Sequence, residues 1–303
     1  MTQPINSCLN ENGETKQIKS LDFNLQSLLF GELSYLAYHK VDEVAEITKE
    51  MGFVQIQFFE KEGAQGYIFQ TAHDLVVAFR GTEFSDLNDI KADLNSLWKN
   101  CEPLGRVHLG FLGELEKLWG DINLIIEKTE KTIWFTGHSL GAGIATLAAA
   151  KCSHSLPHAV IGALFTYASP RAGLRDFVER LKVPHYRWVN NADIITTLPL
   201  ALLGFKHHGI CMYFNTYGNA RNYSRFQRLK DRFRGIGFGF TNKTIKSISD
   251  HRMGSYVERL AKLAAGSEFP ESGLFSKRPR CLRSLFCCFR RKIHFEAAAK
   301  KDV

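Results

Sequence analysis

The chain of 303 residues is long enough for one large domain or two small ones. Its 45% apolar and 23% charged residues are ordinary for a globular protein, and they exclude wholesale disorder, a collagen and a coiled coil. The net charge of +8 allows an anionic partner, either nucleic acid or a membrane surface. Residues 220–246 carry +7 and residues 266–303 carry +5, so the rest of the chain is slightly acidic, at −4.

The cysteines and the first twenty residues indicate the cellular compartment in which the protein is expected. Seven cysteines without a CxxC pair predict neither a disulfide framework nor a zinc site. Residues 1–20 form a polar N-terminal tail where a signal peptide would be apolar, and no run of about 18 apolar residues occurs. We therefore expect a cytoplasmic protein without a spanning helix. Export by a route that uses no N-terminal signal stays open.

Residues 21–265 are predicted to form one α/β domain. Helical spacing of apolar residues within 21–47 predicts a core-facing helix, and β-rich stretches follow at 54–60, 65–70 and 75–79. Helix and strand patterns then alternate, which indicates a mainly parallel sheet with helices on both faces. The alternating elements are helix 111–126, strand 132–136, helix 140–151, strand 163–167, helix 174–181 and strand 186–189.

The sequence Gly137-His138-Ser139-Leu140-Gly141 lies between a predicted strand and an alanine-rich helix. G-x-S-x-G in this position is typical of a nucleophile elbow, in which the serine adopts a strained backbone conformation. Glycine two residues before and after the serine removes the Cβ atoms that would clash. Ser139 is therefore the predicted nucleophile, and the Leu140 N–H at the helix N-terminus is a predicted oxyanion donor. A plain strand–helix turn is the alternative.

A serine nucleophile needs a base that a carboxylate holds in place, and in such folds the chain order is serine, acid, histidine. Asp193 directly follows a predicted strand, where the acid should lie. Asp176 lies within a helical pattern and is predicted on a solvated face. Asp231 lies among arginines and is predicted to form a local ion pair. Asp193 is therefore the predicted acid.

His251 comes just before an amphipathic helical pattern. A helix N-terminus disfavours an imidazolium and helps keep a resting base neutral. His207 and His208 are the alternative bases, although an adjacent histidine pair is more typical of a turn or of structural histidines. Together with His185 and Cys211 they lack the spacing of a metal site, so no metal or other cofactor is expected.

Seven motifs occur along the chain: FRGTE (79–83), VHLGF (107–111), FTGHSLGAGIATLAA (135–149), YASPRAG (167–173), VNNADIITTLP (189–199), HHG (207–209) and SDHRMGSYVERL (249–260). In composition and order they resemble the class 3, fungal-type lipases of the α/β-hydrolase fold, over about residues 25–265. The resemblance implies Ser139 as nucleophile, Asp193 as acid and His251 as base. It also implies that Thr82 faces the oxyanion beside the Leu140 N–H.

The same resemblance assigns residues 84–93 to a lid and gives His108 and His208 structural positions. The lid sequence FSDLNDIKAD is more polar than a lid that faces oil. It therefore favours a phospholipid over bulk triglyceride as substrate.

A cap insertion is predicted at about 200–246, between the acid and the base. Within it, RFQRLKDRFRGIGFGF (225–240) can place its apolar side chains on one helical face and its arginines opposite. A basic amphipathic helix suits anionic lipid headgroups. The alternative is a cap helix packed on the core with a solvated basic face. The apolar face comprises Phe226, Leu229, Phe233, Ile236 and Phe240.

Residues 266–303 form a basic, cysteine-containing C-terminal tail. Its cationic and apolar side chains predict binding to an anionic membrane, and acylation of Cys287 or Cys288 would add an anchor. Nucleic-acid binding is the competing interpretation, but the tail lacks a recognisable module. The third interpretation is a disordered tail that binds neither a membrane nor nucleic acid.

These features predict a serine hydrolase that cleaves carboxylic esters of lipids, of lipase or phospholipase A type, through an acyl-enzyme. The expected partners are a lipid ester substrate and an anionic membrane surface, without nucleic acid. The alternative is a catalytically inactive hydrolase scaffold that acts as a membrane-associated interaction protein.

Overall fold

The computed structural model describes residues 15–81, 97–237 and 250–266. No helix in these ranges is long and apolar enough to cross a bilayer. The helices are α1 (Phe23–Leu36), α2 (Val41–Glu50), α3 (Leu109–Ile126), α4 (Leu140–Ser155), α5 (Arg175–Arg180), α6 (Arg225–Gly237) and α7 (Met253–Ala264). The strands are β1 (Gln55–Lys61), β2 (Ala64–Gln70), β3 (Asp74–Phe79), β4 (Trp98–Cys101), β5 (Gly105–His108), β6 (Thr132–His138), β7 (Ile161–Tyr167), β8 (His185–Asn190), β9 (Ile210–Phe214) and β10 (Ala220–Arg221).

Within the described ranges, eight strands form one sheet in the order β1-β2-β3-β6-β7-β8-β9-β10, and β4 pairs with β5 separately. Strands β3, β6, β7, β8 and β9 run parallel to one another, whereas β1, β2 and β10 pair with their neighbours in antiparallel orientation. This confirms the predicted mainly parallel sheet, and the β-rich stretches at 54–60, 65–70 and 75–79 form its antiparallel first part. Because parallel strands end at one edge, the segments that follow β6 and β8 come together there.

The two faces of the sheet are covered by different helices. On β3, Leu75 and Val77 face α3 and α4, whereas Val76 and Ala78 face α1 and α7. This division follows from the alternation of side chains along a strand. Both sets are fully buried, which is why the central strands are almost continuously apolar in sequence.

The N-terminal part of the domain differs in detail from the prediction. The helical pattern within 21–47 forms two helices, because the chain turns after Leu36 and directs Tyr38 toward His138 at the end of β6. The packed region also begins before residue 21. Ile18 is fully buried, and its N–H donates to Asp74 at 2.9 Å.

Asp176 lies on a helix as predicted and is partly exposed, but its carboxylate is held in an ion pair that the sequence did not indicate. It lies on α5, where its Oδ2 accepts hydrogen bonds from the backbone N–H and the Nε of Arg106 at 3.0 and 3.1 Å. A residue 70 positions away supplies both donors, which a local helical pattern does not reveal.

Glu32 of α1 is buried, and its Oε2 has no hydrogen-bond partner among the described residues. Burial raises the pKa of this carboxyl to about 8 from an ordinary value of 4.5. Between these values the folded protein holds a proton that the unfolded chain has lost. The free energy of unfolding therefore falls as pH rises, by about 1.4 kcal/mol per pH unit.

Glu32→Gln is expected to stabilise the protein, because the amide stays neutral. Its advantage over the wild type should widen steadily from pH 5 to pH 8, measured by denaturant unfolding. Glu116→Gln, at an exposed position of α3, is the control and should show no such trend. A constant difference between Glu32→Gln and wild type across this range would contradict a neutral buried carboxyl.

Candidate active site

The turn between β6 and α4 has the geometry of a nucleophile elbow. Ser139 adopts φ 57° and ψ −126°, a conformation that side chains rarely take. A Cβ at Gly137 would overlap the carbonyl of Gly141, and one at Gly141 would overlap the carbonyl of Phe79. The steric reason for both glycines is therefore confirmed. The elbow leaves the Ser139 hydroxyl beyond the end of β6.

Ser139, His251 and Asp193 form one hydrogen-bonded chain. His251 Nε2 lies 2.9 Å from Ser139 Oγ, and His251 Nδ1 lies 3.1 and 3.2 Å from the two carboxylate oxygens of Asp193. All three side chains are buried. With Nδ1–H donated to Asp193, Nε2 presents its lone pair to the serine hydroxyl, as a general base requires.

Further donors hold the carboxylate of Asp193 in place. The Ile195 N–H donates to Oδ1 at 3.0 Å, and the Tyr256 hydroxyl donates to Oδ2 at 2.7 Å. The Asn190 N–H in turn donates to the Tyr256 oxygen at 2.9 Å. Burial, and then the charge of Asp193, raise the pKa of Tyr256 well above its ordinary value, so the phenol keeps its proton. Sequence reasoning counted Tyr256 only as part of the apolar face of α7.

Tyr256→Phe is expected to lower kcat about tenfold with little change in KM, because hydrogen bonds to charged groups contribute about 1.5–3 kcal/mol. The measurement is steady-state hydrolysis of a soluble short-chain ester. Tyr217→Phe is the matched control, since Tyr217 is 68% exposed. An unchanged kcat in Tyr256→Phe would show that this hydroxyl does not position the acid.

His138 links the nucleophile elbow to the segment that carries the base. Its Nε2–H donates to the backbone carbonyl of His251 at 2.7 Å, and its Nδ1 accepts from the Tyr38 hydroxyl at 2.9 Å. Burial, reinforced by the nearby His251, holds the pKa of His138 well below its ordinary value. The neutral ring therefore acts as a fixed donor that holds the His251 backbone. Sequence reasoning missed this contact, which joins residues 113 positions apart.

The predicted oxyanion donors are only partly described. The Leu140 N–H is the first of α4, where it has no hydrogen-bond acceptor among the described residues. Thr82 and the predicted lid at 84–93 lie outside the described residues. Gly81 is described, and a Cβ added to it would lie 3.4 Å from Ser139 Cβ. The chain therefore passes beside the nucleophile just before residue 82.

The alternative bases are engaged away from Ser139. His207 Nε2–H donates to the Thr196 carbonyl at 2.8 Å, and His208 Nδ1 lies 3.2 Å from His185 Nδ1. Burial lowers the pKa of both His207 and His208. His108 caps α3, where its Nδ1 accepts from the Phe111 N–H at 3.3 Å. Contacts of this kind hold the fold together, and among the described histidines only His251 is hydrogen-bonded to the Ser139 hydroxyl.

Comparison with known families supplies the identity of the central region. Residues 76–203 match the family described as Lipase (class 3). The chain carries a class 3 lipase region. The resemblance inferred from the motifs is thereby confirmed. The matched residues include Ser139, Leu140 and Asp193, whereas His251 lies beyond them.

Three of the relatives that the chain matches come from a plant and a fungus. A triacylglycerol lipase of Arabidopsis thaliana is 22% identical in an alignment of 254 positions that covers 63% of this chain and 49% of that protein. A secreted mono- and diacylglycerol lipase of Fusarium solani is 30% identical, over 44% of this chain and 42% of its own. A chloroplastic phospholipase A(1) of Arabidopsis thaliana is 37% identical, over 43% and 34%. The chain thus spans half or less of the length of these relatives.

Solved structures of fungal lipases share the fold. Lipase II from Rhizopus niveus superimposes with a TM-score of 0.55 at 23% identity, over 63% of this chain and 82% of that one. The triacylglyceride lipase of Rhizomucor miehei gives 0.55 at 21% identity, over 62% and 79%. The predicted α/β-hydrolase fold is confirmed by these similarities.

Proposed function

We propose that this protein is a serine hydrolase that cleaves carboxylic esters of lipids through an acyl-enzyme. The observation that carries the proposal is the hydrogen-bonded chain from Ser139 through His251 to Asp193. The class 3 lipase region and relatives named as triacylglycerol lipase and phospholipase A(1) support the substrate class. The geometry provides every group of a serine triad, so it argues against an inactive scaffold.

The proposed reaction follows from the positions of these groups. His251 Nε2 takes the Ser139 proton as Oγ attacks the ester carbonyl, and Asp193 stabilises the resulting imidazolium. The Leu140 N–H and residue 82 receive the negative charge on the carbonyl oxygen. Collapse of the tetrahedral intermediate expels the alcohol, which takes the proton from His251. Water then releases the fatty acid by the same route.

Within lipid esters we favour phospholipid over triglyceride. The polar sequence of the predicted lid and the basic residues of α6 support this preference. The test is product analysis with vesicles that contain phospholipid and with emulsified triglyceride. Faster release of fatty acid and lysophospholipid from the vesicles is expected, and faster hydrolysis of the emulsion would reverse the assignment.

We also propose that the protein works in the cytoplasm, bound peripherally to an anionic membrane through its basic cap and its C-terminal tail. The +7 of residues 220–246 and the +5 of residues 266–303 support this location. Deletion of residues 266–303 should reduce co-sedimentation with anionic vesicles. Unchanged co-sedimentation would leave the tail without this role.

A further inference from the structure

Helix α6 is attached to the domain through its charged residues. The Asp231 carboxylate accepts from Asn191 Nδ2 at 2.7 Å, from the Tyr213 hydroxyl at 3.0 Å and from the Thr216 N–H at 3.0 Å. Asp231 was predicted to form a local ion pair, and that prediction was wrong. The neutral donors that hold it lie 15 to 40 residues away in sequence. This buried carboxylate therefore fixes which side of α6 faces the domain.

Arg232 provides the second attachment. Its Nε donates to the Asn191 carbonyl at 2.9 Å, and its Nη2 donates to Thr196 Oγ1 at 2.8 Å. The two residues that Arg232 contacts, Asn191 and Thr196, come before and after Asp193 in the sequence. Helix α6 is therefore held at the edge of the sheet where the triad lies.

The apolar side chains of α6 consequently face outward. Phe226 is 76% exposed, Leu229 51% and Phe233 64%. Their spacing of three and four residues places them on one side of the helix. The alternative in which the apolar face packs on the core is therefore wrong for these residues. Ile236 and Phe240 are outside the described side chains.

A second exposed apolar element follows directly on the segment that α6 contacts. The short turn Ala201–Leu203 and the residue before it expose Leu200, Leu202 and Leu203, with Leu202 exposed by 95%. Arg171 holds the start of this turn through hydrogen bonds to the carbonyls of Thr197 and Pro199. Since Arg232 of α6 holds Thr196, the turn and the helix are anchored to adjacent positions of one segment.

The charges around these two elements are almost all positive. Residues 194–237 contain one carboxylate, Asp231, which is buried. Arg225, Lys230 and Arg234 are exposed on α6 beside the apolar side chains. Large apolar side chains in a segment that is rich in cations and has no exposed carboxylate of its own match the acyl region and headgroups of an anionic bilayer. The C-terminal tail is itself basic and would be repelled.

We propose that these two elements form an insertion surface for an anionic bilayer, which comprises Leu200, Leu202, Leu203, Phe226, Leu229 and Phe233. The inference rests on the proposed lipid hydrolase function and names the side chains that dip below the headgroups. It brings the strand ends that carry the triad toward the lipid. Because this surface contributes apolar contact as well as charge, deletion of the C-terminal tail should weaken vesicle binding without abolishing it.

The test uses the full chain with Ser139→Ala, so that vesicles stay intact, and vesicles of phosphatidylserine and phosphatidylcholine. Adding Phe226→Ser, Leu229→Ser and Phe233→Ser should weaken binding at least about tenfold, because each change removes buried apolar area. The single change Leu202→Ser should weaken it by a smaller factor. A matched control replaces Val54, Leu124 and Val160 by serine, since these residues are also more than half exposed but lie elsewhere.

Three results would overturn the insertion surface: undiminished binding by the triple serine variant, equal loss in the control variant, or equal binding of wild type to purely neutral vesicles.

If the acidic segment 82–96 covers this face instead, the triple variant should bind vesicles normally and hydrolyse a soluble ester faster. The same surface variants are also made with Ser139 retained. Their hydrolysis of the soluble ester shows that they are folded. A wild type that binds anionic vesicles but cleaves no ester would refute only the proposed reaction.

Discussion

Replacing Ser139 with alanine is expected to lower ester hydrolysis by about 10³-fold or more and to abolish labelling by a serine-directed phosphonate. In the proposed reaction the Ser139 hydroxyl, 2.9 Å from His251 Nε2, attacks the carbonyl, and alanine removes this hydroxyl. Turnover of a soluble short-chain ester and mass spectrometry of the phosphonate adduct provide the measurements.

Ser153→Ala is the matched control for this change. Ser153 lies on the same helix, α4, where its hydroxyl donates to the Ala150 carbonyl at 2.8 Å. It should keep both turnover and labelling. Undiminished hydrolysis by Ser139→Ala would remove the nucleophile assignment. A folded wild type that neither turns over ester nor labels would favour the inactive scaffold.

Replacing His251 with alanine is expected to damage turnover almost as severely, because Ser139 then has no base and Asp193 has no imidazole to orient. The double variant with Ser139→Ala should be little worse than either single variant, since groups that act as one unit are not additive. The comparison requires kcat/KM for both single variants and the double variant on the same ester.

His208→Ala is the control for the base, because His208 was the rival histidine and contacts His185 instead of the serine. It should change kcat/KM far less than His251→Ala. A larger loss in His208→Ala than in His251→Ala would mean that the base is misassigned. Circular dichroism of each variant separates loss of fold from loss of chemistry.

Much of the candidate site could be predicted because its signals are local or ordered along the chain. The glycines around Ser139 indicate an elbow, and the order of the triad leaves few acids and histidines to consider. The contacts that support the triad could not be predicted in this way. Tyr256 belongs to a helix that reads as an ordinary core segment, and Tyr38 lies in the turn after α1. Both reach the site only through the tertiary packing of distant segments, Tyr38 at His138 and Tyr256 at Asp193.

The sequence by itself determined the mainly parallel sheet, the position of the elbow and the amphipathic character of residues 225–237, because periodicity and turn residues are properties of short segments. Only the tertiary structure decided the direction in which α6 faces. Periodicity gives a helix two unlike sides without saying which one is inside. The hydrogen bonds of Asp231 and Arg232 to distant residues turn these two side chains toward the domain and leave Phe226 and Phe233 exposed. Part of the basic charge of the chain thus lies on a helix that contacts the segment of the predicted acid, Asp193.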